Sequence, residues 1–266
     1  MPELGRVRFI GTATTLIRLG GFTLLTDPNF LHRGQRAYLG KGLWSRRLTE
    51  PAMSPAELPA LDAVVLSHLH GDHFDRVARR ELSREPPVLT TPAAARRLRR
   101  WRFDAEGLET WQERWLVKDD ERLRIRALPG LHARGALRPL LPPVMGTLLE
   151  YQASGGAPYR VYLSGDTLTG EHVDEVARRH PEIDLLVLHL GGTRLLWHTV
   201  TMDAPQGVDF ARRIAPHGVL PVHHDDYRVF RDPLERFLVL ADDTLGSGTV
   251  HRLERSETLS LHPRPS

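Results

Sequence analysis

The chain has 266 residues, of which 36 are Lys or Arg and 33 Asp or Glu, for a formal net charge of +3, with 41% hydrophobic residues and no cysteine. That length admits one large domain or two small ones, and the composition is that of a globular chain rather than a disordered or fibrous one. The missing cysteines remove disulfides, thiolate nucleophiles and thiolate metal sites together, so any metal must be held by imidazole and carboxylate. The charge balance is too mild to imply nucleic acid, and no apolar run approaches the roughly 20 residues of a membrane span. The N-terminal Met-Pro-Glu-Leu-Gly-Arg-Val-Arg has no apolar signal core, which predicts a cytoplasmic chain.

The first stretch alternates like paired strands over Arg6 to Ile10, Thr14 to Leu19 and Phe22 to Thr26, with Gly20-Gly21 as a hairpin turn. Pro28 stops the third strand and leaves Asp27 at its tip. From Phe30 to Pro59 there is no sustained period, and a loop that long in a compact domain is usually functional or disordered. Leu61 to Leu66 reads as a buried strand leading directly into Ser67-His68-Leu69-His70-Gly71-Asp72-His73, followed by a helix from about Phe74 to Leu82. Val88 to Thr90 is strand, and Pro92 to Trp101 is a helix opened by its proline. Strands follow at Leu123 to Ala127, Thr147 to Tyr151 and Arg160 to Ser164, then a helix from Glu171 to His180 and the apolar run Leu185 to Leu190. Asp203 with Gln206 caps a helix reaching Ile214. Gly218 to Val222 is a strand ending at His223, Pro233 to Leu240 is helical, and the tail returns to strand near Val250 and Leu259. Paired strands first and strand–helix alternation later predict mixed α/β layers in a single domain spanning residues 1–266.

The chemistry-bearing residues share one kind of location. His68, His70, Asp72 and His73 follow the run ending at Leu66. His132 follows Leu123 to Leu128 and a Pro-Gly turn, Asp166 follows Val161 to Ser164, and His223 follows Gly218 to Val222. Side chains at the carboxyl ends of neighbouring strands converge on one crevice, which makes a site of scattered residues. In His-x-His-x-Asp-His the first two imidazoles, His68 and His70, lie two residues apart, point the same way and suit one ion. Asp72 and His73 sit at the helix start and suit a second, and Asp166 is the carboxylate available to bridge. Imidazole and carboxylate without thiolate suit two divalent ions, zinc first, with manganese or iron also compatible. A lone His-x-His carries little weight in a chain with 14 histidines; the four-residue string together with two further strand-end motifs carries much more.

These residues resemble the signature of the metallo-β-lactamase superfamily. The surrounding pattern is most similar to the branch of ascorbate-6-phosphate lactonase-like and N-acyl-phosphatidylethanolamine phospholipase D-like hydrolases. The likeness extends over Phe9-Ile10-Gly11-Thr12-Ala13-Thr14, Leu25-Thr26-Asp27-Pro28, the His string, Gly165-Asp166-Thr167, Thr201-Met202-Asp203 and Pro221-Val222-His223. It implies an αββα four-layer sandwich with the site at one edge of the paired sheets. It also implies a first metal on His68, His70 and His132, a second on Asp72, His73 and His223, Asp166 between them, and Asp27 orienting a ligand from behind. The chain departs from the branch at Thr12, where His is common, and at His224, where an aromatic is usual. The second departure leaves His223 and His224 as alternatives, with the Pro-x-His register and strand alternation favouring His223.

The resemblance implies metal-assisted hydrolysis of a phosphodiester or a lactone or ester in a small-molecule or lipid-like substrate, with a metal-activated hydroxide as nucleophile. Asp72 or Asp166 would accept its proton, and His198 or His224 would protonate the leaving group. A silent binding protein on the same fold and an iron-dependent redox member are the competing readings. Phe30, Tyr38, Trp44 and the segment Leu140 to Met145 are candidate pocket walls. The basic run from Arg96 to Arg102 reads as a solvated helix face before it reads as an anion site.

Overall fold

Alternating burial along the strands builds the layers. The structure is a computed structural model that describes residues 3–153, 156–195 and 197–264. Val7 and Phe9 of strand Gly5–Gly11, Phe22 and Leu24 of Phe22–Thr26, and Ala63 and Val65 of Ala63–Val65 enter one apolar cluster. Leu123 and Ile125 of Glu121–Leu128, Leu185 and Val187 of Leu185–His189, and Leu220 and Val222 of Gly218–Val222 enter the same cluster. The intervening residues face outward into two other cores: Ile10, Leu25 and Val64 into one, Leu186, Leu188 and Val219 into the other. A period of two is what a sheet buried on both faces requires.

One sheet has seven strands in the order Thr258–Leu261, Gly5–Gly11, Thr14–Leu19, Phe22–Thr26, Ala63–Val65, Val88–Thr90 and Ala105–Gly107. The other has six, in the order Gly218–Val222, Leu185–His189, Tyr159–Leu163, Gly146–Gln152, Glu121–Leu128 and Glu113–Lys118. Helices Arg76–Glu81 and Pro92–Arg100 cover the first sheet through Val77, Ala78, Ala95 and Leu98. Helices Glu171–Arg179, Ala204–Ile214 and Leu234–Leu245 cover the second through Val173, Val176, Phe210 and Phe237. The architecture is the αββα four-layer sandwich. Each sheet has a parallel part, Phe22–Thr26 through Ala105–Gly107 in one and Tyr159–Leu163 through Gly218–Val222 in the other. Their carboxyl ends carry the residues singled out above, apart from His132, which follows the antiparallel strand Glu121–Leu128.

Several boundaries differ from the sequence reading, for local reasons. The helix expected from Phe74 begins at Arg76, because Asp75 caps it by accepting from Val77 N and Ala78 N. The helix expected to stop at Leu240 continues to Leu245. Val250 makes only an isolated bridge with Val219 rather than a strand. Glu113–Lys118 is a strand that the sequence reading did not anticipate; it is an edge strand, exposed on both faces, so it carries no apolar alternation.

The aperiodic stretch from Phe30 to Pro59 is ordered by contacts rather than by pattern. It holds a short hairpin, Arg36–Tyr38 with Trp44–Arg46, and a single 3₁₀ turn at Pro55–Glu57. Its anchor is Arg47, fully buried, which donates through Nη1 to Asn29 O at 3.1 Å and to Asn29 Oδ1, and pairs through Nη2 with Asp226 at 3.4 Å. Asp226 also takes Arg255 Nη2 at 3.0 Å and Thr12 N at 2.7 Å. A buried charge that lost one of these partners would destabilise by about 3–5 kcal/mol.

Candidate metal centre

Strand ends from both sheets deliver the side chains. Phe22–Thr26 ends at Asp27, Ala63–Val65 leads to His68, His70, Asp72 and His73, and Glu121–Leu128 leads to His132. Tyr159–Leu163 leads to Asp166, Leu185–His189 ends in His189, and Gly218–Val222 leads to His223. The turn at Gly165 (φ 64°) needs glycine, since a Cβ there would stand 2.9 Å from Met145 O. Thr12, Asp27 and His223 all have positive φ, at 56°, 36° and 61°. Such backbone is rare for residues with a Cβ, above all a β-branched one, and it clusters at sites the surroundings over-determine.

The ligand atoms form two groups. In the first, His68 Nε2 lies 2.9 Å from His70 Nδ1, and His132 Nε2 lies 3.5 Å from the same atom. In the second, His73 Nε2 is 3.1 Å from Asp166 Oδ2, and His223 Nε2 is 3.5 Å from Asp72 Oδ2. The His68 and His73 rings, 4.2 Å apart between centroids, join the groups. Asp166 stands at the junction, close enough to share a group with His68 and His73 and 3.5 Å from His223 Nδ1. All seven sequence-assigned ligands are therefore brought together. His198 is not: it is exposed, on the two-residue strand His198–Thr199. His224 is also outside, its ring 6.1 Å from Phe9 and lining a small cavity with Arg252 and Arg255. The register thus separates His223 from His224 as the alternation argument expects.

The back of each ring is tethered. His132 Nδ1 lies 2.9 Å from Val200 O and His223 Nδ1 lies 3.1 Å from Leu190 O. A carbonyl only accepts, so in both rings Nδ1 carries the proton and Nε2 is left free toward the cluster. His68 Nδ1 rests on Ser67 Oγ at 3.1 Å, and His73 Nδ1 on Asp27 Oδ2 at 3.2 Å. Asp27 is fixed in turn by Ser67 N at 2.7 Å and by His189 Nε2 at 3.3 Å. It sits behind a candidate ligand as the resemblance implies. His189 is the residue that sequence reasoning missed; its signal was available, since it too closes an apolar strand.

The two groups differ in charge. Burial, reinforced by neighbouring imidazoles, holds His68 well below the ordinary imidazole value, pushes His70 down to about 4 and lowers His132. Burial opposes charge on His73 as well, yet Asp166 and Asp27 outweigh it and hold that ring well above its usual value. His223 is raised against burial by Asp166 and Asp72. Burial would raise the carboxylates too, but His223 and His73 hold Asp166 well below its ordinary range, and the His73 charge leads in bringing Asp27 to about 2.

These residues fit divalent ions. Asp72 Oδ1, Asp166 Oδ1 and His223 Nε2 are buried without a hydrogen-bond partner, which is costly for polar atoms unless another partner satisfies them. They lie among lone pairs of imidazole and carboxylate, the donor set of open zinc, manganese or iron sites.

A family model described as the beta-lactamase superfamily domain matches residues 23–224. An uncharacterized protein of Mycobacterium tuberculosis (strain ATCC 25618 / H37Rv) is 26% identical over 270 residues, covering 97% of this chain and 70% of that protein. The N-acyl-phosphatidylethanolamine-hydrolyzing phospholipase D 1 of Caenorhabditis elegans is 26% identical over 238 residues, 82% of this chain and 63% of that protein. The crystal structure of a possible metal-dependent hydrolase from Veillonella parvula DSM 2008 superimposes with a TM-score of 0.81 at 20% identity, covering 98% of this chain and 100% of that one.

Proposed function

This chain belongs to the metallo-β-lactamase superfamily, and we propose that it is a dinuclear metal-dependent hydrolase acting on a phosphodiester or a lactone or ester bond of a small-molecule or lipid-like substrate. The observation that carries the reading is the meeting of two ligand groups at Asp166. On this reading His68, His70 and His132 hold one ion, Asp72, His73 and His223 the other, and Asp166 is shared. When bound, such ions polarise the scissile group and lower the pKa of water from 15.7 to about 7.

The remaining work falls to the chain. Val200 O and Leu190 O fix the tautomers of His132 and His223, so neither ring can turn its N–H inward. Asp27, itself held by Ser67 and His189, keeps the His73 ring aligned. Asp72 is the candidate to take a proton from the attacking water, because its Oδ1 is buried and unpartnered beside His223. Asp166, shared by the two groups, is the other carboxylate able to do so. His198 is the proposed donor to the leaving group: it lies on the exposed rim two residues before Val200, outside the ligand groups.

The test is metal content per chain in protein purified without chelator, with turnover of a phosphodiester, a phosphomonoester and a lactone. About two ions per chain, lost together with activity in His68→Ala, is the expected result. The bond cleaved fastest names the substrate class, and the metal found separates zinc from manganese or iron. No metal and no turnover after metal is restored would leave a binding protein on this fold.

A further inference from the structure

Beside the metal centre lies a cavity of about 680 Å³ that shares His70 with it, a size within the range of small-molecule sites. Its apolar lining includes Tyr38, Leu69, Phe74 and Trp101. Tyr38 and Trp44, at the paired ends of the short hairpin, pack with ring centroids 4.9 Å apart. The hairpin is seated on the ligand loop: Gly71 N donates to Tyr38 O at 2.9 Å, and a Cβ on Gly71 would stand 2.7 Å from Tyr38 N.

Four arginines, Arg36, Arg76, Arg79 and Arg97, line the same cavity. Elsewhere in the protein some guanidiniums pair with acids, as Arg124 and Arg160 do with Glu150 and Arg213 does with Asp174 and Asp209. Among the described residues none of the four has a carboxylate partner. Arg79 and Arg97 lie instead over the ring of Trp101, at 4.3 and 5.4 Å from its centroid, and Arg76 donates to the Arg36 carbonyl at 3.0 Å. A neutral ring or a carbonyl orients a guanidinium without cancelling its charge. The one acid in the lining, Asp75, is consumed by four backbone donors, Phe30 N, Leu31 N, Val77 N and Ala78 N, at 2.5 to 2.8 Å. The cavity therefore combines an apolar wall with more positive than negative charge, and its one carboxylate is turned to backbone donors rather than to the guanidiniums. Arg97 comes from the basic run that reads in sequence as a solvated face; it is exposed, and it also lines the cavity.

We infer that this groove binds the non-reacting part of the substrate, an apolar or aromatic arm carrying an anionic group, with Arg79 and Arg97 as the residues that select for the charge. The inference rests on the hydrolase reading for the word substrate, but its test does not. The probes are 4-phenylbutane-1-sulfonate and its uncharged counterpart 4-phenylbutan-1-ol, titrated calorimetrically into the metal-bearing protein and again after chelation. A sulfonate is a weak metal ligand, and the chelated sample removes what attraction the ions exert.

The expected result is sulfonate binding about tenfold tighter than the alcohol, retained after chelation. In the double variant Arg79→Met, Arg97→Met the two probes should agree within about twofold, since methionine keeps the apolar stem and drops the charge. Arg79→Lys with Arg97→Lys should keep most of the preference. Equal binding of the two probes, a preference that survives the methionine pair, or one abolished by chelation would each overturn the proposal. Absent turnover with an intact sulfonate preference removes the hydrolase and leaves the groove. Full metal and turnover with no preference does the reverse.

Discussion

The two halves of the candidate metal centre are built from similar residues and are shifted oppositely toward protons. His68, His70 and His132 form a set that is neutral because no carboxylate outweighs its burial. Asp72, His73 and His223 are buried as deeply, but Asp166, with Asp27 at His73 and Asp72 at His223, raises both rings above the ordinary imidazole value. The first half is shifted toward free lone pairs, the second toward keeping its protons. The placement of the three carboxylates Asp27, Asp72 and Asp166 makes the difference.

Asp166 is where that comparison is most easily broken. Asp166→Ala should lower turnover by about 10³-fold or more and bring metal content below two per chain, read by elemental analysis beside activity. The loss should be greater in the acidic half, where His73 and His223 forfeit their nearest counter-charge. Normal metal and activity in this variant would end the dinuclear scheme. Metal uptake against pH sharpens the contrast. Because His73 and His223 are raised, binding at the second half competes with their protons, so its affinity should rise with pH more steeply than that of the imidazole half. The imidazole half, already neutral, should change little until the pH approaches the value of about 4 to which His70 is depressed.

Chelated protein carries the same asymmetry in its stability. His70 has its folded value lowered, so its contribution is present above the unfolded value near 6.5 and is lost as pH falls toward about 4. His73 has its folded value raised, so its contribution is present below 6.5 and is lost as pH rises through that higher value. Thermal melts of the chelated protein should therefore weaken on both sides of an intermediate optimum.

A smaller effect is expected behind the ligands. Asp27→Asn removes the charge against His73 while keeping its shape, and should weaken metal binding about tenfold, in the acidic half alone. Equal weakening of both halves would mean that Asp27 supports the loop rather than the ring. The mildest change is His198→Gln: metal content in both halves should be unchanged and turnover should fall on the basic-leaving-group substrates, by about 10² at most. A loss of metal there would place His198 in the centre rather than on its rim.

The site was far more legible than its scaffolding. His68, His70, Asp72, His73, His132, Asp166 and His223 each follow an apolar run, and apolar runs are what sequence shows best, so the convergence could be read from periodicity and strand ends. His189 obeys the same rule but stands without a companion motif, and a lone histidine carries no weight until Asp27 is seen 3.3 Å away. Arg47 was illegible for a different reason. Its meaning lies in Asn29 and Asp226, one partner near in sequence and the other far, and a buried arginine in an aperiodic loop looks like any surface arginine beforehand. The groove hairpin was hidden likewise: two three-residue strands are too short to show a period, and backbone pairing plus contact with Gly71 holds them.

The bond between Thr12 and the last of these ligands bears on when the protein becomes competent. His223 N donates to Thr12 O at 2.7 Å, and Thr12 N reaches Asp226, 214 positions away in the chain. During synthesis at roughly 5–20 residues per second, the early strands wait on the order of ten seconds or more for this closing segment. Over that interval the His68–His73 loop is already made while its final partner is not. The candidate second group is therefore completed only once the nascent chain has delivered Gly218–Val222 and the turn beyond it.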